Sequence, residues 1–301
     1  MDYLTSYAWP GNVRELSQAI ESAFAHAVYS PVLFTQHLPV HIRTAHARAT
    51  VRRSHADSLY NGVAQDQGVL AWREAKKNNA FHHFAPFLEK IVSMCRKKAD
   101  YLGYSKHPYD ALLDLYEPET TSKDISSLFN PLRKEIVSLL KKITSTKQVD
   151  DHFLFGKFDK EKQLELGRRV LEDMGYEMEK GRLDISTHPF SSASHPYDSR
   201  VTTRIHPTSV ISNISVVLHE GGHGMYEMGL PEEHYGSPLA EAISYGIHES
   251  QSRWWETRIG QSKPFWQHYL PMLQKAFKGK LEAVSPDAIY RAVNKVEPSF
   301  I

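Results

Sequence analysis

A single cysteine, Cys95, in 301 residues leaves no partner for an internal disulfide and excludes a cysteine-built zinc module. No apolar run approaches the roughly 18 residues that a membrane-crossing helix needs. The N-terminus shows no charged stretch followed by an apolar one, so no secretory leader is expected and the expected location is cytoplasmic. A surplus of one charge is missing as well. Lys plus Arg number 36 against 35 Asp plus Glu, a net of +1, so no global field draws the chain to nucleic acid or to an acidic membrane surface. Lysine is absent from the first 75 residues, and all 20 lysines lie at Lys76 or later. What is present, at 41% hydrophobic and 24% charged, is the composition of a soluble globular chain able to bury a sizeable core. The 17 histidines are the unusual count, and histidine is a common metal ligand and acid–base group.

The lysine gap divides the chain. Residues 1–43 hold a turn at Pro10-Gly11, a helix cap at Asn12, and the helical face Val13, Leu16, Ile20, Phe24 and Val28. Residues 44–71 are polar and lack sustained periodicity, which predicts a linker. Residues 72–301 are mostly helical in pattern. A long apolar stripe runs from Trp72 to Leu102 with a kink expected at Pro86. Pro131 is expected to open a helix bearing Leu132, Ile136, Leu139, Leu140 and Ile143. Asp159 caps a third, with Leu164, Val170, Leu171 and Met174 on one side and Gly175 ending it. The period then shortens to two around Leu183 and Ile185, and again at Val201, Thr203 and Ile205, which predicts two short strands. The expected fold class is mainly α with a small β-sheet.

His219-Glu220-Gly221-Gly222-His223 is an H-E-x-x-H pattern. On a helix, residues four apart lie one turn up and about 40° around, so both imidazoles can reach one metal ion. The glutamate beside the first histidine is then placed to take a proton from water at the metal's open position. Val210, Ile214, Val217 and Leu218 support a helix through this point. Chance alone yields about 0.07 such matches in a chain of this composition. Two solvated histidines on a surface helix would give the same letters. The paired glycines speak against that, since each costs about 1 kcal/mol inside a helix and a merely solvated face has no reason to carry them. They mark a place where something passes close to the backbone. A third ligand is needed. A helix expected from Leu239, Ala242, Ile243 and Ile247 offers Glu241, His248 and Glu249, and spacing favours neither carboxylate.

These residues resemble the carboxypeptidase Taq family of zinc metallocarboxypeptidases. LHEGGHGMYEMGL from Leu218 to Leu230 is similar to that family's active-site helix, and GIHESQSRWWE from Gly246 to Glu256 to its third-ligand helix. His188-Pro189-Phe190 resembles its H-P-F element and Asp198-Ser199-Arg200-Val201-Thr202 its D-x-R-x-T element. Trp72–Val92 and His107–Pro118 also resemble the family. The resemblance implies a helical metallopeptidase-like fold with a small sheet near the active site. It implies one zinc ion per chain on His219, His223 and Glu249, with Glu220 as general base. It further implies a homodimer and trimming of peptides from the C-terminus. The terminal carboxylate calls for a cation, and Arg200 and Arg204 are the candidates by type, with His188 beside them. The family's later I/V-R-x-x-A-D element would begin near Ile301 and its G-x-x-Q element is absent, so residues 72–301 are expected to be an internal segment of the family.

Residues 1–43 resemble something else. Tyr7-Ala8-Trp9-Pro10-Gly11-Asn12-Val13-Arg14-Glu15-Leu16, with Leu38-Pro39 and Ile42-Arg43, is similar to the lid of bacterial enhancer-binding AAA+ transcription activators, in which Arg14 would sense nucleotide. No G-x-x-x-x-G-K-[ST] loop accompanies it. The competing expectations are therefore a regulatory or binding protein of that class, or an inactive joining of two fragments. The Arg and His residues between Arg43 and His55 read as a solvated linker, and neither a nucleic-acid nor a membrane partner is expected.

Overall fold

The structure, a computed structural model, describes residues 55–297, with side chains from Gln67 on. The lid-like motif and the helix expected after Asn12 lie outside the described residues. The chain divides into two compact units, Met1–Phe129 and Asn130–Ile301.

In the first unit, helix α1 (His55–Asn78) begins inside the stretch whose composition predicts a linker. It ends at Asn79, which adopts the left-handed conformation (φ 50°), and the Ala80 N–H reaches back to the Ala75 carbonyl at 2.8 Å. That is a left-handed helix stop, with asparagine in the place glycine usually takes. Helix α2 (Phe81–Leu102) follows at once. The break expected at Pro86 thus falls at Asn79-Ala80 instead. Pro86 lies in the second turn of α2, where a missing N–H removes one bond without ending the helix. Helix α3 (Pro108–Leu113) is capped by His107, whose Nδ1 accepts the Tyr109 N–H.

Helix α4 (Ser122–Thr144) crosses the division between the units. It starts at a reciprocal cap: the Asp124 carboxylate accepts the Thr121 N–H at 3.0 Å, and Thr121 Oγ1 accepts the Asp124 N–H at 3.3 Å. Pro131, expected to open this helix, therefore sits in its interior.

The second unit holds the core. Helix α5 (Lys160–Asp173) is capped as expected by Asp159, which accepts the Lys162 N–H at 2.9 Å, and Gly175 (φ +98°) turns the chain away. Strands β1 (Gly181–Ile185), β2 (Ser191–His195) and β3 (Asp198–Thr203) form a sheet in the order β1-β3-β2. β1 runs parallel to β3, with Leu183 opposite Val201, and β2 runs antiparallel to it, with Ser191 opposite Val201. β2 was not expected, because Ser-Ser-Ala-Ser-His carries no apolar alternation; it is a strand through its pairing with β3.

Helix α6 (Ser212–Met228) carries the H-E-x-x-H residues and buries Ile214, Val217 and Leu218. Near its start Asn213, fully buried, donates to the Gln163 carbonyl of α5 at 2.6 Å and accepts from Thr203 Oγ1 of β3 at 2.7 Å. One side chain thereby ties helix, neighbouring helix and sheet together, with both of its polar ends satisfied.

Helix α7 (Tyr245–Arg253) is shorter than the sequence suggests. Leu239 lies in a single 3₁₀ turn, Pro238–Ala240, and Glu241 is extended (φ −105°, ψ 149°), so the expected helix through Leu239 to Ile243 is not formed. Proline and the Ser244 cap, which accepts the Ile247 N–H, set the true start. A π-helical segment, Trp254–Ile259, continues α7, and α8 (Lys263–Ala276) and α9 (Pro286–Val293) complete the unit. Leu171, Val217, Leu273, Leu281 and Ile289 are fully buried here.

Candidate metal centre

The site begins with a contact between backbones. A Cβ on Gly222 would sit 2.8 Å from the Gln251 carbonyl oxygen and 2.8 Å from the Ser252 Cα, both on α7. A Cβ on Gly221 would meet Leu171 Cδ1 at 2.6 Å on the other side. Only glycine lets α6 pass this close to its neighbours, which is the reason for two poor helix formers in mid-helix.

That approach brings three side chains together. His219 Nε2 lies 3.5 Å from one oxygen of Glu249, and His223 Nε2 lies 3.3 Å from the other. Donor atoms of His219, His223 and Glu249 all lie within 4.8 Å of one another. Two imidazole nitrogens and one carboxylate are a donor set suited to zinc, with a fourth position left for water. Glu249 is about half exposed, so the group opens to solvent on its side. The other such group among the described residues, Asp150, Asp151 and His152, is different in kind: Lys295 Nζ already holds Asp151 at 2.9 Å.

Each imidazole uses its remaining nitrogen. His219 Nδ1 is 2.9 Å from Glu256 Oε2, which also accepts from Arg253 Nη1 at 2.6 Å. The hydrogen bond to Glu256 raises the pKa of His219, with the Glu249 and Glu220 charges adding to it. Burial works to raise Glu256, but the hydrogen bond with His219 and the Arg253 charge hold it below the usual carboxylate range. His223 Nδ1 is 2.5 Å from His248 Nδ1, and His248 Nε2 is 2.7 Å from Glu227 Oε1. Burial first, then the neighbouring His248 and His219, depress the pKa of His223 and keep it neutral, the form that binds metal.

Glu220 sits beside this cluster and is buried. Burial pushes its carboxyl up to about 7, with the Glu249 and Glu256 charges adding and His219 opposing. A carboxyl poised there can hold or release a proton near neutrality.

The other residues predicted from sequence do not join the cluster. Ser199, Val201 and Thr203 of β3 are buried; Ser199 and Thr203 reach Gly224 and Asn213 of α6, and Val201 lies where a Cβ on Gly224 would touch it. The alternation of the strand sends Arg200 to the opposite face, where Asp198 holds it through Nε at 2.7 Å and Nη2 at 2.9 Å. Arg204 is exposed just beyond β3. His188 is exposed between β1 and β2, its carbonyl accepting from Ser186 Oγ. Glu241 lies off the helix, as described above. The roles of Glu227 and Glu256 were not foreseen. A signal existed for each: Glu227 is one helical turn beyond His223, and Glu256 two turns beyond Glu249.

The comparisons with known proteins bear on the family of the chain. The chain is 40% identical over 232 residues to Carboxypeptidase 1 of Bacillus subtilis, covering 77% of this chain and 46% of that protein. It is 37% identical over 249 residues to Thermostable carboxypeptidase 1 of Thermus thermophilus, covering 79% and 48% respectively. Among solved structures, Pyrococcus furiosus carboxypeptidase in an Apo-Mg form superposes with a TM-score of 0.75 at 30% identity, over 97% of this chain and 60% of that one. The chain spans about half the length of the curated relatives it matches. The model of the carboxypeptidase Taq (M32) metallopeptidases matches residues 25–301, beginning within the piece that the lysine gap sets apart. With every described residue inside that match, the protein belongs to the M32, or carboxypeptidase Taq, family of metallopeptidases.

Proposed function

We propose that the chain is, or is part of, a zinc-dependent carboxypeptidase that removes residues from the C-terminus of peptides. The observation that carries this is the convergence of His219 Nε2, His223 Nε2 and the Glu249 carboxylate beside the buried carboxyl of Glu220. These three residues would hold one zinc ion per chain. When bound, zinc supplies a Lewis acid that polarises the scissile carbonyl and acidifies water.

The chain's own residues supply the rest. Glu220 accepts a proton from the attacking water and returns it to the leaving amine, a role that its raised pKa supports. Arg253 and Glu256 hold the ring of His219 in one orientation. Of the two arginines suited to a peptide's terminal carboxylate, Arg200 is engaged by Asp198, which favours Arg204. The family resemblance also implies a homodimer, which sedimentation would test. A cytoplasmic location fits the lone cysteine.

The test pairs metal analysis with hydrolysis of an N-blocked dipeptide. Chelator-washed wild-type protein reloaded with zinc should retain about one ion per chain and release the C-terminal residue. Glu220→Gln should keep the metal and lose about 100-fold or more in rate, whereas His223→Ala should lose both. Folded wild-type protein that takes up no zinc, or hydrolysis indifferent to Glu220→Gln, would overturn the proposal.

A further inference from the structure

The two histidines of the candidate centre are supported differently. His219 meets a carboxylate directly, Glu256, which is shared with Arg253. His223 meets another imidazole, and only behind that ring does a carboxylate stand, Glu227. His248 and Glu227 lie within the two segments that carry the ligands, but neither belongs to the ligand set.

The proton count of this chain of groups is constrained. The Nε2 of His223 faces Glu249, so a metal there leaves its Nδ1 as the N–H. That N–H must donate to His248 Nδ1, which must then present a lone pair. A neutral His248 therefore carries its proton on Nε2 and donates it to Glu227 Oε1. Only one arrangement satisfies all three groups: His223 donates to His248, and His248 donates to Glu227. A His248 protonated on Nδ1 would set two N–H groups against each other, while Glu227 faced a bare nitrogen.

The elements hold the relay in place. His248 belongs to the first turn of α7, where its N–H bonds the Ser244 carbonyl at 3.0 Å and Ser244 Oγ caps the helix. The Tyr226 ring stands edge-on to the His248 ring at 5.0 Å and 87°. Glu227 is on α6, four residues beyond His223, so the relay also spans the close α6–α7 contact at Gly222. The side chains of His223, His248 and Glu227 are 13%, 19% and 23% exposed, sheltered enough for the hydrogen bonds to escape heavy competition from water.

We infer that His248 and Glu227 are positioning residues that fix the tautomer and orientation of His223, making it a metal ligand through a two-step relay. The inference rests on the proposed metal function. It adds an asymmetry to it: the charge behind His223 stands one ring further back than the charge behind His219, and among the described residues no arginine pairs with it as Arg253 pairs with Glu256.

The experiment measures cobalt and zinc affinity by chelator competition, with the visible spectrum of the cobalt protein and the histidine ¹⁵N shifts as independent readouts. His248→Phe should weaken metal binding about 10- to 100-fold and alter the cobalt spectrum. His248→Asn, whose amide oxygen can stand where Nδ1 stood, should restore most of the affinity. Glu227→Gln should give a smaller loss. In wild-type protein carrying zinc, the ¹⁵N shifts should show His248 protonated on Nε2. Wild-type protein that binds metal while His248→Phe binds it equally well overturns the relay and leaves the proposed function standing. A His248 protonated on Nδ1 also overturns it. Wild-type protein that binds neither metal overturns both. Loss of affinity in His248→Phe and His248→Asn alike, with thermal melting lowered in both, would assign the effect to packing and reject the relay.

Discussion

Helices α4 and α6 carry similar apolar stripes and have opposite fates. In α4, Leu132, Ile136 and Leu139 recur at helical spacing, yet they are 44%, 53% and 57% exposed and the helix contains no buried residue. In α6 the stripe of Ile214, Val217 and Leu218 is fully buried, and so are Gly221 in line with it and Gly222 and Gly224 on its two flanks. Periodicity specifies that a helix forms and which side is apolar. It does not specify how much of the circumference will be covered. The glycines of α6 do, because each marks a face on which another element has come within contact distance. A helix enclosed on several sides can hold side chains rigidly enough for coordination chemistry, and one with an open stripe cannot.

The contrast can be broken most forcefully at Leu218. Truncating it to alanine should cost about 2–5 kcal/mol in chemical denaturation, since it is 1% exposed and lies in the core. A negligible change would mean that α6 is not enclosed in solution. Next comes Gly222→Ala, which adds a methyl where α7 backbone stands at 2.8 Å. About 1–3 kcal/mol should be lost, together with metal affinity, because the two helices that carry the donors must part. Asp159→Ala removes the cap of α5, the helix whose Gly167 rests against Asn213 of α6, and should cost about 1 kcal/mol by the same assay. Leu139→Ala on α4 should change stability by no more than about 0.5 kcal/mol. A loss there as large as at Leu218 would show that the α4 stripe is covered in solution, and the difference between the two helices would vanish.

The parts legible from sequence were those whose causes are local. Asp159 and Gly175 bracket α5 because cap chemistry needs only neighbouring residues. The H-E-x-x-H helix was visible because Ile214, Val217 and Leu218 keep its period. The start of α4 is set by the cap at Thr121 and Asp124, so Pro131, a residue suited to a first turn, misleads as to the boundary. Strand β2 was missed because Ser191–His195 has no period of its own and takes its shape from β3. Spacing could not separate Glu241 from Glu249, since both were placed on one expected helix; the Pro238–Ala240 turn and the Ser244 cap leave only Glu249 on α7. His248 and Glu227 lie 21 residues apart and meet where the α6 backbone at Gly222 touches the α7 backbone at Gln251 and Ser252. No local rule reaches that far.

The π-helical segment Trp254–Ile259 has a consequence best stated as an insertion. Its wide turn, with the Gly260 N–H bonded to the Trp255 carbonyl five residues back at 2.8 Å, accommodates one residue more than an α-helix would over the same length. Glu249 lies before it and Glu256 within it, so the angle between a candidate ligand and the carboxylate that steadies His219 depends on that extra residue. Deleting Trp254 or Trp255, the residues of the segment that lie between the two carboxylates, would shorten their spacing by one residue and at α pitch swing Glu256 by about 100° relative to Glu249. Here chain length itself is under constraint: a single-codon deletion of Trp254 or Trp255 should weaken metal binding about 10- to 100-fold by moving Glu256 away from His219.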